Sequence, residues 1–374
     1  MKITIVQGAF LPVPPVQGGA VEKAWYALGR EFARQGHTVT HVGRRFEGLP
    51  DRERDAGVDY HRVSGFPAPA SLLKLKWCDL RYSWNVRRAL PEADVLVTNT
   101  FWLPMLERRK SRGAVYVHVA RYPKGQLRHY PSRAFLQTVS APIREAILRE
   151  VPRRTEQVRV IPYPLAPHYL APFPEQPGRE ILYTGRLHPE KGVHLLVEAF
   201  KRVSPSAPDW RLRLIGPWEF RQGGGGPAYR ETLRNAAAGF PVDIDEPIFD
   251  EPRLVQAYQR AAIFAYPSLA EKGETFGLSV LEAMAAGCAP VVSSLACFGD
   301  FVAAGTNGDV FDHRSATAAE NLAGVLGKLI ESPATLAARR QAAWNTARGY
   351  SLAAVGKTFL DDFALVTRSK NLPP

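Results

Sequence analysis

The 374-residue sequence contains few cysteines and no long hydrophobic segment. Its three cysteines, Cys78, Cys288 and Cys297, form no CxxC pair and no cluster with histidine. Neither a disulfide framework nor a zinc site is therefore predicted, and a reducing compartment is favoured. No run of about 18 apolar residues is present, and the N-terminus MKITIVQGAF lacks the apolar core and cleavage site of a signal peptide. We expect a soluble, cytoplasmic protein.

Several ligand-binding signatures are also absent. Gly18 and Gly19 precede the first predicted helix, but they do not form the GxGxxG pattern, which disfavours a nicotinamide cofactor. No DxD pair follows a predicted strand, so we expect neither a metal ion nor a cofactor. The sequence pI is about 9.7, yet no RRM, KH or zinc motif is found, so nucleic acid is not an expected partner.

The composition and the length indicate a globular protein of two domains. Hydrophobic residues make up 45% of the chain and charged residues 22%, and its length exceeds that of one ordinary hydrophobic core. Predicted strands such as KITIVQ, DVLVT, AVYVHV, REILYTG and AIFAYPS alternate with amphipathic helices, which is typical of an α/β protein. Six prolines between Val160 and Gly178 predict an extended linker. We place the domains at 1–168 and 169–349.

The positive charge is confined to the first half. Residues up to Leu170 include 27 Lys and Arg against 14 Asp and Glu, whereas the rest include 21 against 22. This asymmetry favours an anionic partner for the first half, such as a membrane surface or a phosphorylated acceptor, with a solvated basic surface as the alternative. One predicted helix has four large apolar residues on one face, with five basic residues among them: Leu73, Trp77, Leu80 and Trp84, with Lys74, Lys76, Arg81, Arg87 and Arg88. This pattern suits an anionic membrane surface. Tryptophans at such spacing also occur in protein cores, which is the alternative.

Three stretches are candidates for a binding site at the carboxyl ends of the predicted strands. Gly18 and Gly19 allow a phosphate to approach the start of a helix, and Arg186 and Lys191, in TGRLHPEKG, can neutralise a diphosphate. In GETFGLSVLEAMAAG, Glu274 and Glu282 stand eight positions apart. A carboxylate can accept hydrogen bonds from two hydroxyls, and the backbone N–H groups of Phe276, Gly277 and Leu278 can bind phosphates, so this stretch fits a phosphorylated polyol. A helix-stabilising role at the helix start is the alternative for Glu282.

The last stretch resembles the EX7E signature of the retaining GT-B glycosyltransferases, family 4 in particular. Four further segments agree with that family in kind and order, so the resemblance covers nearly the whole chain: GGAVEKAWYALGREFARQGHTVT, TGRLHPEKGVHLLVEAF, AIFAYPS and AGTNGDVFD. The implied fold is GT-B, an α/β architecture of two Rossmann-like domains facing across a cleft. A C-terminal helix within 350–374 would cross back to the N-terminal domain.

The resemblance also implies roles for individual residues. Arg186 and Lys191 would clamp the donor diphosphate, Glu282 would bind the ribose and Glu274 the transferred sugar. Gly19 would contact the donor. His118, at the end of AVYVHV, would lie beside the anomeric carbon, and without the family it would be interpreted as a structural residue. In the enzymes that the chain resembles, the β-phosphate takes the acceptor proton, so no dedicated protein base is implied.

Two departures from the family pattern concern the hinge and the acceptor. Tyr163 and Pro164 follow the Ile-Pro of the linker where relatives have Asn-Gly, and SSLACFGDFVAAG replaces a segment with Gly-Gly and Glu-Val pairs. We predict a retaining, metal-independent hexosyltransferase with a UDP- or GDP-sugar donor. Its acceptor would be an anionic or lipid-linked precursor of a cell-envelope polysaccharide, bound at the inner face of the membrane. A nucleotide-sugar 2-epimerase of the same fold and a basic nucleic-acid-binding protein are the alternatives.

Overall fold

The computed structural model describes residues 1–17, 19–69 and 71–370, and the chain divides into two compact units. Unit 1 comprises Met1–Pro164 and Leu352–Pro374, and unit 2 comprises Leu165–Ser351. The domain boundaries expected from the sequence, after residues 168 and 349, lie a few positions from these divisions.

Unit 1 contains an eight-stranded sheet with the order β3-β4-β2-β1-β5-β6-β7-β8. Its strands are β1 (Lys2–Val6), β2 (Thr38–Arg44), β3 (Arg52–Asp55), β4 (Val58–Val63), β5 (Val95–Thr98), β6 (Ala114–His118), β7 (Phe135–Thr138) and β8 (Val158–Val160). The β3–β4 pair is antiparallel and the other pairs are parallel. The carboxyl ends of the parallel strands therefore meet at one edge of the sheet.

Helices cover both faces of this sheet, and they are α1 (Ala20–Arg34), α2 (Leu72–Ala89), α3 (Leu103–Leu106) and α4 (Ala141–Glu150). On α1, Trp25, Leu28 and Phe32 recur at helical spacing and are buried with Ile5 in one core cluster. After α1, Gly36 has a φ of 86°, a left-handed conformation that glycine adopts without strain. The predicted alternation of strand and amphipathic helix is thus confirmed here, with β1 and β2 parallel on either side of α1 in the chain.

Unit 2 contains a six-stranded parallel sheet with the order β11-β10-β9-β12-β13-β14. Its strands are β9 (Glu180–Thr184), β10 (Arg211–Ile215), β11 (Val242–Asp245), β12 (Ile263–Tyr266), β13 (Ala289–Ser293) and β14 (Asp309–Phe311). Its helices are α5 (Val193–Val203), α6 (Gly226–Ala237), α7 (Glu251–Arg260), α8 (Leu278–Ala285), α9 (Ala318–Glu331) and α10 (Pro333–Arg348). The alternation of strand and helix predicted for the second half is confirmed.

The last helix, α11 (Leu352–Lys370), belongs to unit 1, as the sequence predicted for the C-terminal helix. Its Phe359 packs on Trp25 at 5.0 Å between ring centroids, and Phe363 packs edge-on to Tyr116 at the same distance. The Tyr116 hydroxyl donates a hydrogen bond to Asp362 at 2.7 Å. This helix therefore completes the core of the N-terminal sheet.

Candidate active site

The candidate residues of unit 2 lie at the carboxyl edge of its sheet. Lys191 ends a short turn after β9, and Glu274 lies in the loop between β12 and α8. The Lys191 Nζ and Glu274 Oε2 atoms are 2.7 Å apart, and the two side chains are only 8% and 11% exposed. The Tyr266 hydroxyl also donates to Glu274 Oε2, at 3.1 Å. Tertiary structure thus joins two predicted site residues, from separate motifs, into one buried ion pair.

Two glycines in left-handed conformations let these loops approach each other. Gly192, directly after Lys191, has a φ of 65°, and a Cβ atom there would lie 2.0 Å from the carbonyl oxygen of Pro267. Gly277 has a φ of 86°, and its Cβ would lie 2.4 Å from the ring of Phe298. Gly277 is the N-cap of α8, whose first backbone N–H groups have no acceptor within the helix. These N–H groups can bind an anion, the role predicted for Gly277 and Leu278. Phe276, the third residue of that prediction, is buried and its ring packs on Phe301.

Glu282 lies on α8 and is half-buried. Its Oε2 accepts a hydrogen bond from the Tyr258 hydroxyl at 3.3 Å, and Tyr258 in turn lies 2.6 Å from the Thr184 hydroxyl. Burial raises the pKa of Tyr258 well above its usual value, so this hydroxyl remains protonated. Burial also raises the pKa of Tyr169, and the nearby carboxylates of Glu282 and Glu251 raise it further. The Tyr169 hydroxyl donates a hydrogen bond to Glu282, which adds to this shift. These tyrosines orient the carboxylate and had no local signal in the sequence.

Arg186 does not join the Lys191–Glu274 pair. Its guanidinium lies 2.5 Å from Glu190 and donates to the carbonyl oxygen of Gly223 at 2.6 Å. Gly223 belongs to a glycine-rich segment, Gln222–Pro227, for which the sequence predicts a mobile surface loop. The backbone N–H groups of 223–226 all donate to carbonyl oxygens, and α6 begins at Gly226. This segment supports Arg186.

The predicted phosphate contact in unit 1 is Gly19, while Gly18 lies outside the described residues. Gly19 is the N-cap of α1 with a φ of 95°, and a Cβ atom there would lie 2.2 Å from the carboxylate of Glu22. Glu22 is buried, which raises its pKa, and the charge of Arg121 partly opposes this shift. The sequence did not indicate that a carboxylate lies against this turn.

His118 also belongs to unit 1, where it ends β6 and is buried. The Gln137 amide nitrogen donates to the carbonyl oxygens of Thr138 and Ile161, so Gln137 Oε1 accepts from His118 Nδ1 at 2.6 Å. His118 Nε2 therefore accepts from the Tyr163 hydroxyl, at 3.3 Å. Burial lowers the pKa of His118 to about 4, so the ring is neutral at pH 7. Tyr163, a departure from the family pattern, turns out to contact this histidine.

The described residues contain neither a metal-ligand cluster nor a membrane-spanning helix. The sequence did not predict a DxD pair at a strand end, yet Asp243 and Asp245 lie at the end of β11, where they pair with Arg211 and Arg213. In 1–17, 19–69 and 71–370, no group of three or more His, Cys, Asp or Glu side chains could bind a metal ion. Over the same part of the chain, no helix has the length and apolar character needed to cross a membrane.

Solved structures with the same architecture show which fold the chain has. The sucrose-phosphate synthase of Thermosynechococcus elongatus superimposes with a TM-score of 0.78 at 18% identity, over 98% of this chain and 99% of that one. The HepE protein of Anabaena, in complex with UDP and glucose, gives a TM-score of 0.70 at 16% identity, over 98% and 100%. At these identities the similarity establishes the fold, which is GT-B.

Sequence comparison then identifies the family. A profile of the glycosyl transferases group 1 matches residues 172–346, and a profile of the glycosyl transferase 4-like domain matches residues 19–164. The two matches together span most of the chain, which therefore consists of a glycosyl transferase 4-like domain followed by a glycosyl transferases group 1 domain.

Two curated relatives match part of the chain. An exopolysaccharide phosphotransferase of Streptomyces coelicolor is 28% identical over 64% of this chain and 26% of its own length. A D-inositol 3-phosphate glycosyltransferase of Corynebacterium efficiens is 34% identical over 47% of this chain and 40% of its own length. The chain thus matches less than half the length of either relative.

Proposed function

We propose that this protein is a retaining, metal-independent glycosyltransferase that moves a hexosyl unit from a UDP- or GDP-sugar to an anionic or lipid-linked acceptor, a precursor of a cell-envelope polysaccharide. The observation that carries the proposal is the buried Lys191–Glu274 pair beside the first turn of α8. When a nucleotide sugar binds, the ammonium can contact its diphosphate and the carboxylate can contact its sugar hydroxyls, so that these contacts replace the ion pair.

In this proposal each member of the pair binds one part of the donor. Lys191 neutralises the diphosphate together with Arg186 and the N–H groups at Gly277 and Leu278. Glu274 accepts hydrogen bonds from hydroxyls of the transferred sugar, and Glu282 accepts them from the ribose. As negative charge grows on the departing diphosphate, a preorganised cation lowers the barrier. The UDP and glucose in the HepE complex support a donor of this class.

The acceptor side of the proposal depends on unit 1. Residues up to Leu170 carry an excess of positive charge, and one relative is named for D-inositol 3-phosphate. Both favour an anionic acceptor.

A membrane surface is proposed for α2. Asp79, Tyr82 and Val86 are buried on its inner face, whereas Leu73 is 82% exposed and Trp77 55%. Leu72 and Trp84 are also exposed. The sequence had left a core role open for these tryptophans, but exposed apolar residues beside Lys74 and Lys76 suit an anionic bilayer at the inner face of the cytoplasmic membrane.

A donor screen tests the proposal. Thermal unfolding is measured with UDP-, GDP- and ADP-sugars, since a ligand at a hundredfold excess over its Kd stabilises by about 2.7 kcal/mol. We expect a shift with a UDP- or GDP-sugar that persists in EDTA. The anomeric configuration of the product, read by NMR, then distinguishes retention from inversion. A donor converted to its 2-epimer without transfer would indicate the epimerase instead.

A further inference from the structure

A row of polar side chains crosses the carboxyl edge of the unit 1 sheet. Val6 of β1 pairs with Thr98 of β5, and Thr98 pairs with Val117 of β6. The next residue on each chain segment is polar, and His118 pairs in turn with Gln137 of β7. We call these four residues the amide row, and they are Gln7, Asn99, His118 and Gln137.

The amide row follows the sheet face that α1 and α11 cover. Side chains alternate between the two faces of a strand, and Ile5, Val97 and Tyr116, two positions before Gln7, Asn99 and His118, lie in the core cluster that contains Trp25. The intervening Val6 and Val117 lie in the other cluster. The Trp25 ring packs edge-on to His118, at 5.6 Å between centroids. The amide row and Trp25 are therefore on the same side of the sheet.

The two halves of the amide row differ in hydrogen bonding. The amide of Gln137 makes three hydrogen bonds, and both ring nitrogens of His118 are bonded. Gln7 is only 1% exposed, yet neither atom of its amide has a hydrogen-bond partner within the described part of the chain. The same holds there for Asn99 Oδ1. The Asn99 amide lies against Gly8, 3.8 Å from where a Cβ atom would be.

A buried amide without partners destabilises a protein, so its presence needs an explanation. An amide supplies two donors and an acceptor and carries no charge, which matches hydroxyl groups better than phosphate. Two amides on adjacent strands can bind two hydroxyls of one ring.

We propose that Gln7 and Asn99 bind hydroxyl groups of a sugar or polyol ring at the carboxyl edge of the unit 1 sheet. This inference rests on the proposed transferase function, and the ring is either the acceptor or the transferred sugar.

A matched pair of substitutions separates binding from a structural role. Gln7→Met and Gln137→Met remove the same amide from the same row, and Asn99→Leu is the second test variant. We expect Gln137→Met to lower the melting temperature, because it breaks three hydrogen bonds. Gln7→Met should leave the melting temperature unchanged or raise it, since no protein partner is lost. A decrease for Gln7→Met as large as that for Gln137→Met would overturn the inference.

Binding is measured on the full chain with glucose and myo-inositol by saturation-transfer NMR. We expect a signal with at least one probe in the parent and its loss in Gln7→Met and Asn99→Leu, with UDP affinity unchanged. No signal from either probe in the parent, or an equal signal in the variants, would overturn the inference. If no nucleotide sugar stabilises the protein in the donor screen, the proposed transferase function is rejected. The binding test with glucose and myo-inositol does not depend on a donor, so its result still decides this inference.

Kinetics then assign the ring. If it belongs to the transferred sugar, the KM for hydrolysis of UDP-glucose rises about tenfold in Gln7→Met, the effect expected for the loss of one or two hydrogen bonds. If it belongs to the acceptor, hydrolysis is unchanged and only the transfer to a polyol slows.

Discussion

The two units prepare their candidate sites in opposite ways. In unit 2 the charged residues pair with each other, as Lys191 does with Glu274 and Arg186 with Glu190. In unit 1 the important groups are neutral and buried. Both ring nitrogens of His118 are hydrogen-bonded, whereas the side-chain amide of Gln7 has no partner among the described residues. The positive charge of unit 1 lies mainly outside this row, on surfaces such as α2. A buried ion pair destabilises the fold only when one partner is removed. A buried amide without a hydrogen-bond partner lowers the free energy of unfolding of the unsubstituted protein.

The largest effect is expected when one member of the buried Lys191–Glu274 pair is removed, which tests whether the site of unit 2 depends on paired charges. Lys191→Met leaves the Glu274 carboxylate without its ammonium, which destabilises by about 3–5 kcal/mol for buried pairs. Turnover should fall roughly a hundred- to a thousandfold, because a preorganised cation at the leaving group is lost. Denaturant unfolding and kcat at saturating donor are the measurements.

The double variant Lys191→Met/Glu274→Gln is the control for that experiment. It removes both charges of the pair, so stability should largely return while turnover stays low. Arg186→Met, whose ion pair is about 40% exposed, should lower turnover with a much smaller loss of stability. An unchanged kcat in both single variants would show that these cations serve binding only.

Glu282→Ala sharpens the comparison at the proposed ribose contact. Two charge-assisted hydrogen bonds to hydroxyls, worth roughly 1.5–3 kcal/mol each, would be lost, so UDP affinity should fall at least about a hundredfold. Isothermal titration with UDP measures it. Glu320→Ala, an exposed carboxylate on α9 paired with Arg202, is the control and should bind like the parent. Affinity for the Glu282 variant within twofold of the parent excludes the ribose assignment.

Acid should destabilise unit 1 through His118. Its pKa is about 4 in the folded protein against an ordinary value of 6.5, so between these pH values the unfolded chain binds the extra proton. Stability is therefore full above pH 6.5 and decreases as the pH falls toward 4, by about 2 kcal/mol at pH 5. Comparing denaturant unfolding at pH 7 and 5 should show a smaller loss in His118→Gln, while the exposed His129→Gln keeps the parent loss. Equal losses in all three proteins would contradict this origin of the effect.

The smallest expected effect concerns the membrane surface of α2. Each exposed cation contributes about 1 kcal/mol near an anionic bilayer, so Lys74→Gln/Lys76→Gln should weaken binding to phosphatidylglycerol vesicles by up to about thirtyfold. Binding of the parent should also decrease as salt shortens the Debye length below about 10 Å. Arg202→Gln/Lys328→Gln, on unit 2, removes the same charge elsewhere and should bind like the parent. No co-sedimentation of the parent at low salt would exclude a membrane role for α2.

Local sequence predicts much of this protein because helices and strands repeat over short distances. The apolar residues Val21, Trp25, Leu28 and Phe32 recur at helical spacing, which predicts α1, and Gly36 predicts its end. The predicted strand AIFAYPS and the apolar residues after Gly277 place Glu274 in a loop and Glu282 on the helix that follows. Five motifs in order suggested the family, which the profile matches confirm.

Contacts between distant residues could not be predicted in the same way. Lys191 and Glu274 are 83 positions apart, and each motif alone suggested a free ligand-binding residue. Trp77 is exposed because Asp79 and Tyr82 pack the opposite face of α2 against unit 1. The tryptophan spacing alone is the same in a buried helix, so it could not distinguish an exposed Trp77 from a buried one.

The sequence by itself therefore determined the α/β elements, their order in two units and the residue types of the donor motifs. Tertiary structure alone decided that Lys191 pairs with Glu274, that Tyr163 contacts His118 and that Gln7 and Asn99 share a row with a neutral histidine. The physical reason is strand register. Strands that are far apart in the chain align in one register, and this alignment decides which side chains become neighbours across a parallel sheet. Short-range periodicity of the sequence does not predict that alignment.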